Sequence, residues 1–381
     1  MRKDFRPSGS SSISEVIGSM HRKMFESTLT ERGRIGHSRP TLGPEDERAV
    51  AEAVRSGSLR DGERAIALAT AIAGRLGRAG AVALSSGSAA LHLALKAVGV
   101  GEGDRVAIPS YECVSILQAV RRAGAAPLVV DCDPRSFHMD PEDLIRRGGG
   151  SARAIVFSHT FGRPGDLDPF LAAGPPVLED AATALGARRR GRPAGALGRA
   201  AICSFNATKM ITTGGGGALA CDDPGILDLA MDLVRYDARD DAEIRYNERM
   251  GEMEAALGLS QLARLDSFLR RRRELAAAYG EELLGAPVLL PETGMGVDPS
   301  WHRFVIRVAA GAEPVRANLA RRGIDSPRPV HIPLHRILGL EGFPGADAAD
   351  REALSLPIYP TLTVEEARWI ARQVRACLTE A

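Results

Sequence analysis

Of the 49 basic residues only Lys3, Lys23, Lys96 and Lys209 are lysines. An ammonium can shed its proton and become a nucleophile, whereas a guanidinium stays charged. Lys209 lies in Ser204-Phe205-Asn206-Ala207-Thr208-Lys209, just before Gly214-Gly215-Gly216-Gly217. By position alone, chance explains it equally well; its neighbours decide. Asp180 follows the apolar run Pro176-Val177-Leu178 and Glu179. A carboxylate at the end of a buried strand needs a cationic partner, either an arginine or the protonated ring nitrogen of a ligand. In Ser85-Ser86-Gly87-Ser88-Ala89-Ala90-Leu91, small residues between a strand and a helix leave the first helical amides open to an anion. Gly87 would let a ligand near the backbone, and the Ser86 and Ser88 hydroxyls would add hydrogen bonds. An ordinary N-cap turn explains the same residues. The segment is neither a Walker loop nor a GxGxxG fingerprint.

Together these pieces point to one ligand. Pyridoxal 5′-phosphate needs an anion site, a carboxylate for its ring nitrogen and a lysine for an imine. The glycines after Lys209 allow a tight turn against a flat ring, and Ser204 could share the phosphate with Ser88.

The elements that must position these groups follow from pattern. Apolar runs at Ala81–Leu84, Arg105–Ile108, Pro127–Val130, Ala154–Phe157, Pro176–Leu178, Ala200–Phe205 and Ala218–Cys221 read as strands. Helical patterns stand between many of them, including Ala89–Val98, Tyr111–Arg122, Pro141–Arg147 and Asp166–Ala173. Such alternation predicts an α/β fold with a mainly parallel central sheet and helices on both faces. Ligands bind beyond the carboxyl ends of such strands, where Ser85–Ser88, Ser110–Cys113, His159, Glu179-Asp180 and Ser204–Lys209 all fall. Ala255–Tyr279 reads as one long helix, Pro287 to Val308 as strand-like and Thr363–Leu378 as an amphipathic helix. The expected division is an N-terminal extension at 1–34, a large domain at 35–283 and a small α+β domain at 284–381.

The ordered set of motifs resembles the DegT/DnrJ/EryC1/StrS family of fold-type I sugar aminotransferases. It runs through Ser56-Gly57-Ser58-Leu59, Ser86 to Leu95, Asp131-Cys132-Asp133, His159-Thr160-Phe161-Gly162, Glu179-Asp180-Ala181-Ala182, Ser204-Phe205, Thr208-Lys209, Asn247, Glu254 to Gly258 and Leu356-Pro357. The resemblance implies that Lys209 is the internal-aldimine lysine and Asp180 the partner of the pyridine nitrogen. It places Ser88, Ala89 and Ser204 on the phosphate. It sends Asn247 to the cofactor of a neighbouring subunit, hence a homodimer with shared sites. Substrate-side histidines fall at His159, His331 and His335, with His331 standing where a tyrosine is usual. Cys113 replaces an aromatic that stacks on the ring, with Tyr111 two residues away. Thr183 replaces a glutamine near the phenolic oxygen, and Gly215 an acid in the glycine run. The reaction implied moves an amino group from glutamate or glutamine to a keto-sugar, often nucleotide-linked, or a keto-cyclitol. Alternatives are another pyridoxal phosphate reaction (dehydration, decarboxylation, carbon–carbon bond formation) and a binding protein without turnover. Retention of Lys209 and Asp180 disfavours the last.

Composition sets outer limits. Forty-four per cent hydrophobic and 25% charged residues in 381 are globular values, and a net charge of +1 favours neither nucleic acid nor an anionic membrane. The apolar runs are strand-length, too short to span a bilayer. The Ser-rich opening segment has no signal-peptide pattern. Five cysteines without a CxxC pair fit reduced thiols in the cytoplasm and no zinc site.

Overall fold

The computed structural model describes residues 34–237 and 239–380. All of the expected extension except Arg34 therefore lies outside the described residues. Seven strands form the central sheet: β1 (Gly80–Leu84), β2 (Arg105–Pro109), β3 (Ala126–Val130), β4 (Ala154–Ser158), β5 (Val177–Asp180), β6 (Ala200–Ser204) and β7 (Gly217–Cys221). Their spatial order is β1-β7-β6-β5-β4-β2-β3. The β6-β5-β4-β2-β3 pairs are parallel; β7 alone runs against both its neighbours. That reversal puts the entry to β7, with its glycines, at the same sheet edge as the ends of β1 and β6.

Helix α1 (Pro44–Arg55) and α2 (Glu63–Leu76) precede β1, and α3 (Gly87–Ala97) and α4 (Val114–Arg122) follow β1 and β2. Most strand positions are apolar and buried because helices cover both faces. Leu91, Leu93, Ile108, Leu117 and Val156 pack on one face, and Leu68, Ile72, Leu76, Phe205 and Leu269 on the other.

Three expectations change. The helix foreseen from Tyr111 begins at Val114, because Cys113 is an extended N-cap residue; this leaves Tyr111-Glu112-Cys113 as a bend at the sheet edge. The long helix of 255–279 is two, Glu252–Ala263 and Leu265–Leu283, meeting at Arg264. Of the segment 287–308 only Val297–Asp298 and β8 (Phe304–Arg307) are strands, and β8 pairs with β9 (Ala353–Leu356). The apolar cores do not divide at 283/284. Leu275, Tyr279 and Leu283 pack with Phe304, Ile306 and Val374, whereas Val305, Leu334, Phe343 and Ala353 join the core that contains β1 and β2. The C-terminal region is thereby clamped to the sheet edge beside the bend at 111–113.

Candidate active site

A cleft of about 390 Å³ opens at the carboxyl ends of the parallel strands and holds Gly87, Ser88, Glu112, Cys113, Asp180, Thr183, Ser204 and Lys209 among its lining. Lys209 sits on the loop between β6 and β7. The loop is closed by Lys209 N donating to Asn206 O (2.9 Å), Thr213 N to Phe205 O (2.8 Å) and Phe205 N to Gly216 O (2.8 Å). Gly216 has φ +150°, and a Cβ there would stand 2.4 Å from Thr213 Oγ1, so the turn that aims the lysine requires glycine.

Asp180 ends β5. Its Oδ1 accepts the Ala182 amide at 2.9 Å, and among the described residues no Arg, Lys or His lies within ion-pair distance of it. Burial raises its pKa, opposed by that amide and by Lys209. Burial lowers the pKa of Lys209, opposed by Asp180 and Glu112. A half-buried acid and a half-buried amine thus share one cleft, and among the described residues neither is in an ion pair. Ring nitrogen and aldehyde are the complements these two groups lack, and pyridoxal 5′-phosphate fits.

The anion end is built differently from expectation. Ser86 caps α3: its Oγ accepts the Ala89 amide at 3.0 Å and its carbonyl the Ala90 amide at 3.0 Å. Ala89 therefore cannot serve as a phosphate donor as foreseen. The free amides of the first turn are those of Gly87 and Ser88, beside the hydroxyls of Ser88 and Ser204. Gly87 is required for packing, since a Cβ there would meet Ser204 Cβ at 2.7 Å. That contact sets the helix start directly on the end of β6.

Several neighbours depart from expectation. Tyr111 is wholly buried against Phe137 (5.8 Å, stacked) and Phe161 (6.4 Å); it cannot replace the missing ring stack, and of the bend only Glu112 and Cys113 face the cleft. Thr183 Oγ1 donates to His159 O at 2.9 Å, so its hydroxyl offers a ligand lone pairs but no proton. Gly215 lines the cleft, and a Cβ there would meet only Ser85 O at 3.8 Å.

None of the three histidines lines the cleft. His159 is buried with both ring nitrogens used: Nε2 on Glu179 Oε2 (2.8 Å), Nδ1 accepting the Gly165 amide (3.1 Å). His335 is buried between Ser110 Oγ (2.6 Å) and Asp347 Oδ1 (3.3 Å), stacked on Phe343 at 4.7 Å. His331 is exposed. For His159 and His335 the substrate role is corrected to a structural one, because their polar atoms are spent inside the protein. Asn247 is exposed and away from the cleft of its own chain.

Sequence reasoning missed Glu112. It lines the cleft, its Oε2 accepts the Cys113 amide (2.9 Å) and its Oε1 the Thr160 hydroxyl (3.3 Å). Burial, then the nearby Asp180, pushes its pKa up to about 7. Its place in the polar strand-end segment Ser110–Cys113 was the available signal. Ser158, at the end of β4, was also missed; its buried hydroxyl lines the cleft and has no partner among the described residues.

Sheet order, crossover helices and a lysine–aspartate cleft at the strand ends define a fold-type I pyridoxal phosphate enzyme. The chain matches the DegT/DnrJ/EryC1/StrS aminotransferase family over residues 40–375 and belongs to it. It is 35% identical to GDP-perosamine synthase of Caulobacter vibrioides, over 74% of this chain and 81% of that one. It is 36% identical to dTDP-3-amino-3,4,6-trideoxy-alpha-D-glucose transaminase of Streptomyces venezuelae, over 77% and 82%. The crystal structure of S. venezuelae DesV superposes with a TM-score of 0.83 at 31% identity, covering 94% of this chain and 96% of that one. The protein is a pyridoxal 5′-phosphate-dependent sugar aminotransferase. Among the described residues no helix is long and apolar enough to cross a membrane, and no group of three or more His, Cys, Asp or Glu could hold a metal ion.

Proposed function

We propose that the protein transfers an amino group from glutamate or glutamine to a nucleotide-linked keto-sugar, or to a keto-cyclitol, with Lys209 and Asp180 as its working pair. The observation that carries this reading is that both groups face one cleft and that, among the described residues, neither is engaged in an ion pair. Bound there, pyridoxal 5′-phosphate supplies an aldehyde that accepts an amine and a cationic ring that stabilises the carbanion left when a Cα proton departs. Lys209 holds the cofactor through Nζ and, once displaced by a donor amine, takes up and returns the proton at that atom. Burial favours its neutral form, the form that can act as a base. Asp180 keeps the ring nitrogen protonated. The Gly87 and Ser88 amides and the Ser88 and Ser204 hydroxyls hold the phosphate at the positive end of α3.

Exposed Asn247 fits a role toward a second subunit, which makes a homodimer with shared sites the working assembly. Five unpaired cysteines fit a reducing, cytoplasmic setting.

The test is a donor screen on the purified, cofactor-loaded protein. Glutamate or glutamine alone should abolish the visible absorption of the lysine-bound cofactor, and Lys209→Ala should lack that absorption from the start. A wild type that keeps its absorption with every amino acid offered would refute transamination.

A further inference from the structure

Beside the cleft lies a smaller cavity of about 30 Å³, lined by Phe137, Thr160, Phe161, Trp301 and Arg303 among others. Its wall is tied to that of the cleft through Thr160, whose hydroxyl donates to the cleft residue Glu112, and the charge of Arg303 is felt at Lys209. Phe137 (φ +63°), Phe161 (φ +60°) and Trp301 (φ +54°) all adopt the left-handed conformation that bulky residues avoid. Such strain survives where the surroundings over-determine it, and it gathers at ligand sites. Here the rivets are visible: Arg303 N donates to Phe161 O (3.2 Å) and Ser300 N to Gly162 O (2.9 Å), and Ser300 Oγ donates to Thr183 O (2.9 Å). They fix Arg303 against the large domain.

Among the described residues Arg303 is a cation without an ion-pair partner. Its Nη1 is buried and has no hydrogen-bond partner among them. The other two arginines of the cavity are matched, Arg163 with Glu292 (3.3 Å) and Arg135 with Asp133 (3.7 Å). The groups that act on Arg303 from a distance are Glu112 and Cys113, at the wall of the Lys209 cleft, and the buried Tyr111 between them and the core. Burying an unpaired guanidinium is costly, so an arriving anion gains more here than at a solvated arginine.

We propose that Arg303 is the binding residue for a carboxylate of the amino donor, which rests on the transamination reading above. The phosphates of a nucleotide-linked acceptor share the oxyanion chemistry. With about 30 Å³ of space for water, where one water needs about 10 Å³, the cavity suits a small oxyanion group such as a carboxylate; donor and nucleotide binding measured side by side separate the two sources. The planar, two-pronged geometry of arginine also matches a carboxylate.

The test uses the cofactor-loaded wild type, Arg303→Gln and Arg303→Lys. The probe is 2-methylglutamate, whose amine can displace Lys209 from the cofactor but which has no hydrogen on Cα to lose, so that the reaction stops there. Its dissociation constant, read from the shift in cofactor absorption, should rise about 10- to 100-fold in Arg303→Gln and recover in part in Arg303→Lys. Affinity for pyridoxal 5′-phosphate and for dTDP, measured by titration calorimetry, should be unchanged in both variants. Equal 2-methylglutamate affinity in all three proteins, or weakened dTDP binding with donor binding intact, overturns the proposal. A wild type that responds to no amino donor refutes the transamination reading itself, so the two failures are distinguishable. If Arg303→Gln does not fold, Arg303→Lys alone decides, by a rise in the donor constant or its absence.

Discussion

His159 Nε2 and Glu179 Oε2 lie 2.8 Å apart, joining the residue after β4 to the residue before Asp180. Burial alone would raise the pKa of Glu179, yet His159 and the Gly198 and Leu197 amides hold it below the usual range. Glu179 further accepts the Gly195 amide (2.8 Å) and faces Arg78 (3.4 Å). The ionic knot under the sheet edge fixes the height at which Asp180 enters the cleft.

Glu179→Ala should cost about 3–5 kcal/mol, because it leaves the buried His159 imidazole and the Gly195, Leu197 and Gly198 amides without their acceptor, while Arg78 keeps Asp222. Urea unfolding measures this. The sign with pH follows from the lowered folded pKa: stabilisation by Glu179 is complete above the unfolded carboxylate pKa and is lost as acid drives pH down through the folded value. The gap between wild type and variant should therefore narrow in acid.

Glu112 behaves oppositely. With a folded pKa of about 7 against an ordinary carboxylate value, the folded cofactor-free protein holds a proton that the unfolded chain has released. Its destabilising effect is absent below the unfolded pKa, grows as pH rises toward 7 and is complete above it. Glu112→Gln should gain about 2–3 kcal/mol over wild type at pH 8 and almost nothing near pH 4. Parallel unfolding curves at both pH values check it, and a gain equal at both would contradict the assignment.

Gly87→Ala places a methyl 2.7 Å from Ser204 Cβ. Overpacking of this kind costs about 1–3 kcal/mol, and it pries the α3 amides from the Ser204 hydroxyl. The cofactor dissociation constant should rise at least tenfold, by fluorescence titration. Gly215→Ala, whose Cβ would meet only Ser85 O at an unstrained 3.8 Å, should leave it unaltered.

His335→Ala removes a buried stack on Phe343 and the tie to Ser110. A stability loss of about 2–3 kcal/mol is expected, with the KM values for donor and acceptor unchanged in the protein that remains folded. A KM rise for the acceptor without loss of stability would restore His335 to the substrate side.

The sheet and its ligand edge were legible in the order of residues, because short apolar runs alternating with helices leave few arrangements that bury both faces. Lys209, Asp180, Ser88 and Ser204 were legible too: each ends or follows a strand, and parallel topology sends such ends to one place. Side-chain direction was not. Ser86 takes the amide foreseen for the phosphate, and Tyr111 turns into the core rather than the cleft. His159 and His335 spend their nitrogens on Glu179, Gly165, Ser110 and Asp347. Those choices depend on partners far apart in the chain, as Ser110 and His335 are, and local pattern carries no record of them. Glu112 and Arg303 look like ordinary charged residues until the fold half-buries them, Glu112 in the cleft with Lys209 and Arg303 in the neighbouring cavity. The sequence by itself determined the chemistry at the strand ends, since topology follows from hydrophobic period. Tertiary packing decided which polar groups remain free to use, because burial and pairing are properties of neighbours brought together only in space.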